Sequence, residues 1–373
     1  MRPDGPRYHS HDDRAAPPRS PMTAPLRVAV LGAGTVGREV VRAFLERGED
    51  LRSADGATLV LAGVAVRDVA KAVATGIPEA LLTDAPAHLV ADPDVDVVVE
   101  LLGGEEPART LIAASLGAGK AVVTANKHVI AHHGPELEGL ARRTGATFRF
   151  EASVGGGIPV LGPLATELAA NRIQRVRGIL NGTTNFVLTA MAQEGRDYAD
   201  ILAAAQAAGY AEADPTADVE GHDAANKLVI LARLAFGVWM DPATVALVDA
   251  GGPGHGLPGI TGVSAGDVTL ARADGEVIKL VATAERGLDG AIVASVLPLR
   301  LPAAAALACT DGVLNRIEIE AEPIGVVAFS GPGAGGAATS SAVLGDLVAI
   351  ARGLGSTWAG LAPAGVPPAG AGS

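Results

Sequence analysis

The chain has 373 residues and a formal net charge of -12 at pH 7, a balance that argues against a nucleic-acid groove or an anionic membrane surface as partner. Hydrophobic residues make up 49% and aromatics only 3%, so two domains with cores of Ala, Val, Leu and Ile are expected. No apolar run reaches the roughly 18 residues of a membrane span, and the single cysteine, Cys309, excludes an internal disulfide or a cysteine-rich metal site and fits a reducing cytoplasm.

Residues 1–24 are rich in Pro, Arg, Asp and His, lack periodicity and hold no apolar signal-peptide core. They read as a disordered tail, with Met22 as an alternative start. Leu26 to Leu31 reads as a short buried strand, Gly32-Ala-Gly34-Thr35-Val36-Gly37 as a glycine turn, and the stretch to Arg47 as a helix. Between a strand and a helix, such glycines serve a tight turn, close approach of a pyrophosphate and helix-on-strand packing. A glycine-rich turn without a ligand is the plain alternative. A second strand, Thr58 to Val66, ends at Arg67-Asp68. An acid there favours a ribose hydroxyl and an arginine a 2′-phosphate; with both present the reading leans slightly to NADP over NAD.

Val95 to Leu102 and Ala121 to Thr124 are further buried strands, with a helix to Leu116 between them. Thr124-Ala-Asn-Lys127 follows the C-terminal end of a strand, where ligands of doubly wound sheets bind. Lys127 equally reads as a surface cation at a helix end. Phe148 to Val154 reads as a strand leaving this domain. Gly155-Gly156-Gly157 after it is either an interdomain hinge or a set of exposed carbonyls open to a hard cation.

Gln174 to Leu180 reads as a strand, Asn181-Gly182-Thr183-Thr184-Asn185 as a turn, and Phe186 to Gln193 as a helix. The turn is an ordinary turn and cap, or a source of hydroxyls and N–H groups for a ligand. Another helix runs from Tyr198 to Ala208. Residues 250–262 form a loop, and a short helix and strands at 277–284, 291–301 and 316–320 follow. Gly331 to Gly336 opens a helix over 338–352, as a linker or a phosphate-facing helix start. Residues 355–373, rich in Gly, Ala and Pro, read as a second disordered tail.

The stretch 209–227 holds Glu212, Asp214, Asp218, Glu220 and Asp223, with no cation until Lys227. Asp214-Pro215 reads as a turn. Asp223 lies in the first turn of an apolar helix and Lys227 one turn on, so both share a face, acid first. A solvated loop with a surface ion pair is the plain alternative. Two features count against it. The loop runs into a nearly all-apolar helix, and lysine occurs only at Lys71, Lys120, Lys127, Lys227 and Lys279 among 29 basic residues. A chain that uses arginine for solvation has lysine where an ammonium is needed, because lysine can pass a proton.

The pattern Ala205-x3-Gly209-Tyr210-Ala211, then Asp214-Pro215-x2-Asp218-Val219-x-Gly221-x-Asp223-x3-Lys227, resembles the signature of homoserine dehydrogenases. The likeness extends over roughly Leu26 to Gly353. It implies an α/β fold with a Rossmann-type NAD(P)-binding domain over 25–150 and an α+β substrate-binding and dimerisation domain over 151–325. Segment 326–354 would return to the cofactor domain. The implied activity is NAD(P)-dependent interconversion of L-homoserine and L-aspartate 4-semialdehyde by a cytoplasmic homodimer.

Carried over residue by residue, Lys227 is the acid/base, oriented by Asp223. Glu212 meets the substrate ammonium, with Asp218, Tyr210, Gly182, Thr183 and Lys127 around the substrate. Gly32, Gly34, Thr35, Val36, Gly37, Arg67, Thr124, Lys127 and Gly335 meet the cofactor. Glu151 and the carbonyls of Val154, Gly156 and Ile158 would hold a sodium ion. Many relatives carry a regulatory ACT domain beyond this point, for which the chain leaves no room. A weak, competitive response to threonine and an unchanged activity after truncation at Gly355 are therefore expected. A non-catalytic NAD(P)-binding sensor remains the alternative. An acyl-enzyme aldehyde dehydrogenase would need a nucleophilic cysteine, and Cys309 lies far from every matched motif.

Overall fold

The computed structural model describes residues 24–48, 51, 57–209 and 211–364. Strands and helices alternate through the first part: β1 (Leu26–Leu31), α1 (Thr35–Arg47), β2 (Leu59–Ala65), α2 (Val69–Ala74), β3 (Leu82–Thr83), α3 (Pro86–Ala91), β4 (Val97–Glu100), α4 (Ala108–Gly117), β5 (Ala121–Thr124), α5 (Lys127–Thr144) and β6 (Phe148–Arg149). The strands pair in parallel in the order β3-β2-β1-β4-β5-β6. This is a doubly wound dinucleotide-binding sheet. Apart from Arg27, Glu100 and Thr124, strands β1, β4 and β5 are made of Val, Ala and Leu without alternation, as helices on both faces demand.

The second part holds α6 (Leu161–Ala165), β7 (Arg172–Ile179), α7 (Gly182–Glu194), α8 (Tyr198–Ala207), α9 (Thr216–Val219), α10 (His222–Phe236), α11 (Ala265–Ala273), β8 (Glu276–Arg286), β9 (Ile292–Pro302), β10 (Leu314–Glu322) and β11 (Gly325–Pro332). Its antiparallel sheet has the order β11-β10-β7-β8-β9. Finally α12 (Gly336–Ala351) packs on the first domain. Its Val343 and Leu347 share a core with Val40 and Val41 of α1. Among the described residues no helix is long and apolar enough to cross a membrane.

Helix α10 is the buried axis of the second domain, with Leu228 to Ala232 all fully buried. It lies beside α5 of the first domain. Lys127, the first residue of α5, contacts Asp223 in the first turn of α10. Further along, Glu138 of α5 contacts Arg233 of α10. The two helices therefore run parallel, with contacts about 15 Å apart at 1.5 Å rise per residue. Both begin at the same cleft.

Several expectations are corrected. The stretch after Phe148 is strand only to Arg149 and then a 3-10 turn at Glu151–Ser153, because Glu151 turns inward to accept backbone N–H groups from 160–162. The return to the first domain begins after Pro332, not at 326, since 325–332 is an edge strand paired with β10 along its length. Its half-exposed pattern concealed it from the sequence.

Residues 355–364 are packed, not a free tail. Trp358 is buried, with its ring 5.6 Å from that of Phe148 and 5.4 Å from that of Phe150. Thr357 donates its N–H to the Phe148 carbonyl. One large aromatic anchors a segment whose composition otherwise reads as tail, so truncation at Gly355 removes core. The expectations for residues 1–23, including Met22, and for 365–373 lie outside the described residues. At 155–157, expected as a hinge or a set of open carbonyls, the glycines are closely packed. A side chain at Gly156 would meet the Gly333 backbone at 2.7 Å, so only glycine allows this close approach.

Candidate active site

The glycine turn after β1 opens one wall of the cleft. A Cβ at Gly37 would meet the Gly32 carbonyl oxygen at 1.9 Å, whereas at Gly34 it would meet nothing within 4 Å. Gly37 therefore seats α1 on the strand, and Gly34 leaves the N-terminus of α1 open. A cavity of about 410 Å³ lies there, lined by Gly34, Thr35, Val36, the segment 100–104 and the segment 125–128. The start of α12 closes in from the other side, since a Cβ at Gly336 would meet the Thr35 carbonyl oxygen at 2.8 Å. Gly335, which caps α12, is thereby brought to the same turn. At the end of β2, Arg67 and Asp68 are both exposed. The Asp68 side chain is committed to capping α2 through the Lys71 N–H at 2.9 Å.

Beneath this cavity lies a buried carboxylate that sequence reasoning passed over. Glu100 ends β4 fully buried, and Thr124 donates its hydroxyl to it at 2.6 Å. Burial pushes the Glu100 carboxyl above its usual range, against the hydrogen bonds from Thr124 and Leu102 that favour its charge. Thr124 in turn accepts the Asn126 N–H, and Asn126 donates to the Gly104 carbonyl and caps α5. Thr124, expected at the cofactor, is thus fully buried and shapes the turn that presents Lys127. A lone acid in an apolar strand was the available signal.

Lys127 lines both this cavity and a second one of about 730 Å³, which also includes Glu212, Asp218, His132, His222 and Asp223. At their junction the Asp223 carboxylate is held between two ammonium groups. One oxygen meets Lys127 Nζ at 3.0 Å and the other accepts from Lys227 Nζ at 2.6 Å. Lys227 also donates to the Leu180 carbonyl at 2.7 Å and is 8% exposed. Burial disfavours the Asp223 charge, but Lys227 and Lys127 outweigh it and hold the carboxyl far below its usual range. Asp223 likewise raises the Lys127 pKa, against a smaller opposing effect of burial.

The turn before α7 adjoins this junction. Asn181 donates to Asp218 at 2.7 Å and to Asp223 at 2.9 Å, and its oxygen caps α7. Gly182 and Thr183 open that helix. Lys127, Glu212, Asp218, Asp223 and Lys227 are therefore brought together as expected; Tyr210 lies outside the described residues. Asn181, His128 and His132 were not singled out from the sequence. Cys309 lines a different cavity, between α7 and β8. Among the described residues no three His, Cys, Asp or Glu side chains converge to hold a metal ion.

Comparison with known proteins identifies the family. The family model for the homoserine dehydrogenase NAD binding domain matches residues 32–151, and that for homoserine dehydrogenase matches 159–348. The chain belongs to the homoserine dehydrogenase family. A homoserine dehydrogenase of Corynebacterium glutamicum is 47% identical over 340 residues, 90% of this chain and 74% of that protein. The crystal structure of a homoserine dehydrogenase from Thiobacillus denitrificans superposes with a TM-score of 0.84 at 38% identity, covering 93% of this chain and 80% of that one. A hyperthermophilic archaeal homoserine dehydrogenase in complex with NADPH does so with 0.72 at 27% identity, covering 88% and 97%. As a homoserine dehydrogenase, the protein is an NAD(P)-dependent oxidoreductase that interconverts homoserine and aspartate 4-semialdehyde. The acyl-enzyme and sensor alternatives fall away.

Proposed function

We propose that Lys227 exchanges the proton of the substrate alcohol while Asp223 and Lys127 set the charge around it. The observation that carries this reading is the single carboxylate shared by two ammonium groups where the two cavities meet. Nicotinamide held at the open start of α1, around Gly34, Thr35 and Val36, would supply the hydride acceptor for oxidation and the donor for reduction. In oxidation, the C–H of the substrate's primary alcohol carbon breaks with departure of hydride, and the O–H proton passes to Lys227 Nζ in its neutral amine form, leaving the aldehyde; in reduction the ammonium gives that proton back. Asp223 holds that lysine. Lys127, whose proton Asp223 makes harder to remove, suits fixed attraction of the anionic part of the substrate. The N–H groups of Gly182 and Thr183, which open α7, would meet the polar substrate, with Tyr210 proposed alongside them.

Glu212 is the proposed partner of the substrate ammonium, supported by its place in the larger cavity, which Lys127 also lines. Glu212→Gln keeps the shape and removes the charge. The expected loss in kcat/KM is about 1.5–3 kcal/mol, that of a hydrogen bond to a charged group. Steady-state oxidation of NADPH with aspartate 4-semialdehyde tests this, and unchanged kcat and KM would remove the role.

The open N-terminus of α1 fits a pyrophosphate. NADP is favoured over NAD, supported by Arg67 at the end of β2 and the commitment of Asp68 to a cap. Glu151, with the carbonyls of Val154, Gly156 and Ile158, would hold sodium. In support, burial and the neighbouring Asp346 push the Glu151 carboxyl up, against three backbone N–H groups, so a cation would be welcome there. Its contribution would be structural. A homodimer is proposed through the outer face of the second sheet. The row Val293–Glu285–Arg175–Glu320–Val326 crosses all five strands there, with exposed valines at both edges. A cytoplasmic location accords with the lone cysteine.

A further inference from the structure

We propose that Asn181 is a positioning residue that sets which oxygen of Asp223 each lysine receives. This inference rests on the acid–base reading of Lys227 and Asp223. Asn181 is 5% exposed, and its four hydrogen-bonding positions are all used. One amide hydrogen goes to Asp218 at 2.7 Å and the other to Asp223 Oδ2 at 2.9 Å. Its oxygen accepts from the Thr184 N–H at 2.9 Å and from the Thr184 hydroxyl at 3.0 Å. The amide has one workable orientation, because a flip would point its oxygen at two carboxylates.

The consequence lies at Asp223. Its Oδ2 accepts from both Lys227 and Asn181, so Oδ1 is left for Lys127. Without the amide, the carboxylate is free to turn about its last bond and to offer either oxygen, or both, to one lysine. Asn181 also sits between Asp218 and Asp223 as a neutral donor, bringing two acids together without a third charge. The next turn of the helix is fixed as well. Asn185 donates to the Thr310 and Leu314 carbonyls and accepts from the buried Lys279 at 2.9 Å. Asn181 therefore projects from an anchored helix start.

The groups on the Asp223 carboxylate are Lys127 of α5, Lys227 of α10 and Asn181, whose other amide hydrogen goes to Asp218 of α9. Glu212 and the histidines 128, 132 and 222 line the same cavity. Two substitutions separate positioning from capping. Asn181→Ser keeps a good N-cap and replaces both amide donors by one shorter hydroxyl, which cannot hold Asp218 and Asp223 together. Asn181→Asp keeps the cap and the shape but adds a third carboxylate, whose repulsion disfavours deprotonation of its neighbours.

The experiment measures kcat, KM, the pH profile of kcat and the Kd of NADPH for Asn181→Ser, Asn181→Asp and Lys227→Ala, with thermal unfolding of each. Asn181→Ser should lower kcat about 10- to 100-fold, the scale of a small misplacement of catalytic groups, with Kd for NADPH unchanged. Asn181→Asp should also move the acid limb of the profile upward by about one unit. Wild-type kcat and pH profile in a folded Asn181→Ser chain would overturn the proposal. If the serine chain does not fold, Asn181→Asp alone decides by the same readouts. If Lys227→Ala collapses while the Asn181 variants do not, positioning fails and the acid–base reading stands. If Lys227→Ala keeps its turnover, both fail.

Discussion

The two ends of the α5–α10 pair carry the same arrangement built from different cations. At one end Asp223 of α10 meets Lys227 four residues on and Lys127 across the domain boundary. At the other, Glu138 of α5 meets Arg142 four residues on and Arg233 across the boundary. Both carboxylates are nearly buried, and at both the cations outweigh burial and keep the acid charged.

The cations differ because the tasks differ. Arg233 grips Glu138 through two nitrogens, at 2.9 and 2.6 Å, and Trp239 adds a third donor at 2.7 Å. The packed C-terminal segment caps this end, taking bonds from Arg142 at the Leu361 carbonyl and from Arg233 at the Ala362 carbonyl. A planar cation that never loses its proton makes a lock. The lysine end opens instead onto both cavities, and an ammonium there can hold or release a proton. The lock ties the two helices together about 15 Å from the Lys127–Asp223 contact.

The comparison can be broken first at the lock. Glu138→Gln leaves Arg233 buried beside an uncharged amide. Such broken pairs cost about 3–5 kcal/mol. Chemical denaturation should show that loss, while the folded fraction keeps its kcat. A full loss of activity in folded protein would mean that the lock takes part in chemistry.

A smaller effect is expected from Gly134→Ala, since the new methyl would meet the Trp239 ring at 2.4 Å. Overpacking of this kind costs about 1–3 kcal/mol. A neutral or stabilising result would show that α5 gains more from alanine than it loses against Trp239.

The smallest effect is one of pH. Glu138 has a lowered pKa in the folded chain, so its contribution is complete above the unfolded value near 4.3 and fades as pH falls through the folded one. The stability difference between wild type and Glu138→Gln should stay constant from pH 7 to about 5 and close only in stronger acid. A difference that shrinks already near neutrality would contradict this sign.

How far these features were legible depended on sequence distance. Asp223 and Lys227 stand one helical turn apart, and their shared face follows from helix geometry alone. The glycine turn and the apolar strands gave the first domain by spacing. Lys127 reached Asp223 only through resemblance, because no local rule links positions so far apart. The Glu138–Arg233 lock, separated by 95 positions, gave no sign at all. Asn181 read as part of a turn because its partners lie on α9 and α10. Trp358 was averaged away by the glycines and alanines around it.

The central claim is that the open end needs a lysine because it moves a proton. Lys227→Arg keeps the positive charge beside Asp223 and removes the exchangeable proton. The direct measurement is turnover of that variant with homoserine and NADP, beside the Kd for NADPH. A fall in kcat of about two to four orders of magnitude is expected, the range of lost acid–base catalysis, with cofactor binding unchanged. Turnover within a few-fold of wild type, on the same scale, would show that charge alone suffices and would contradict the account.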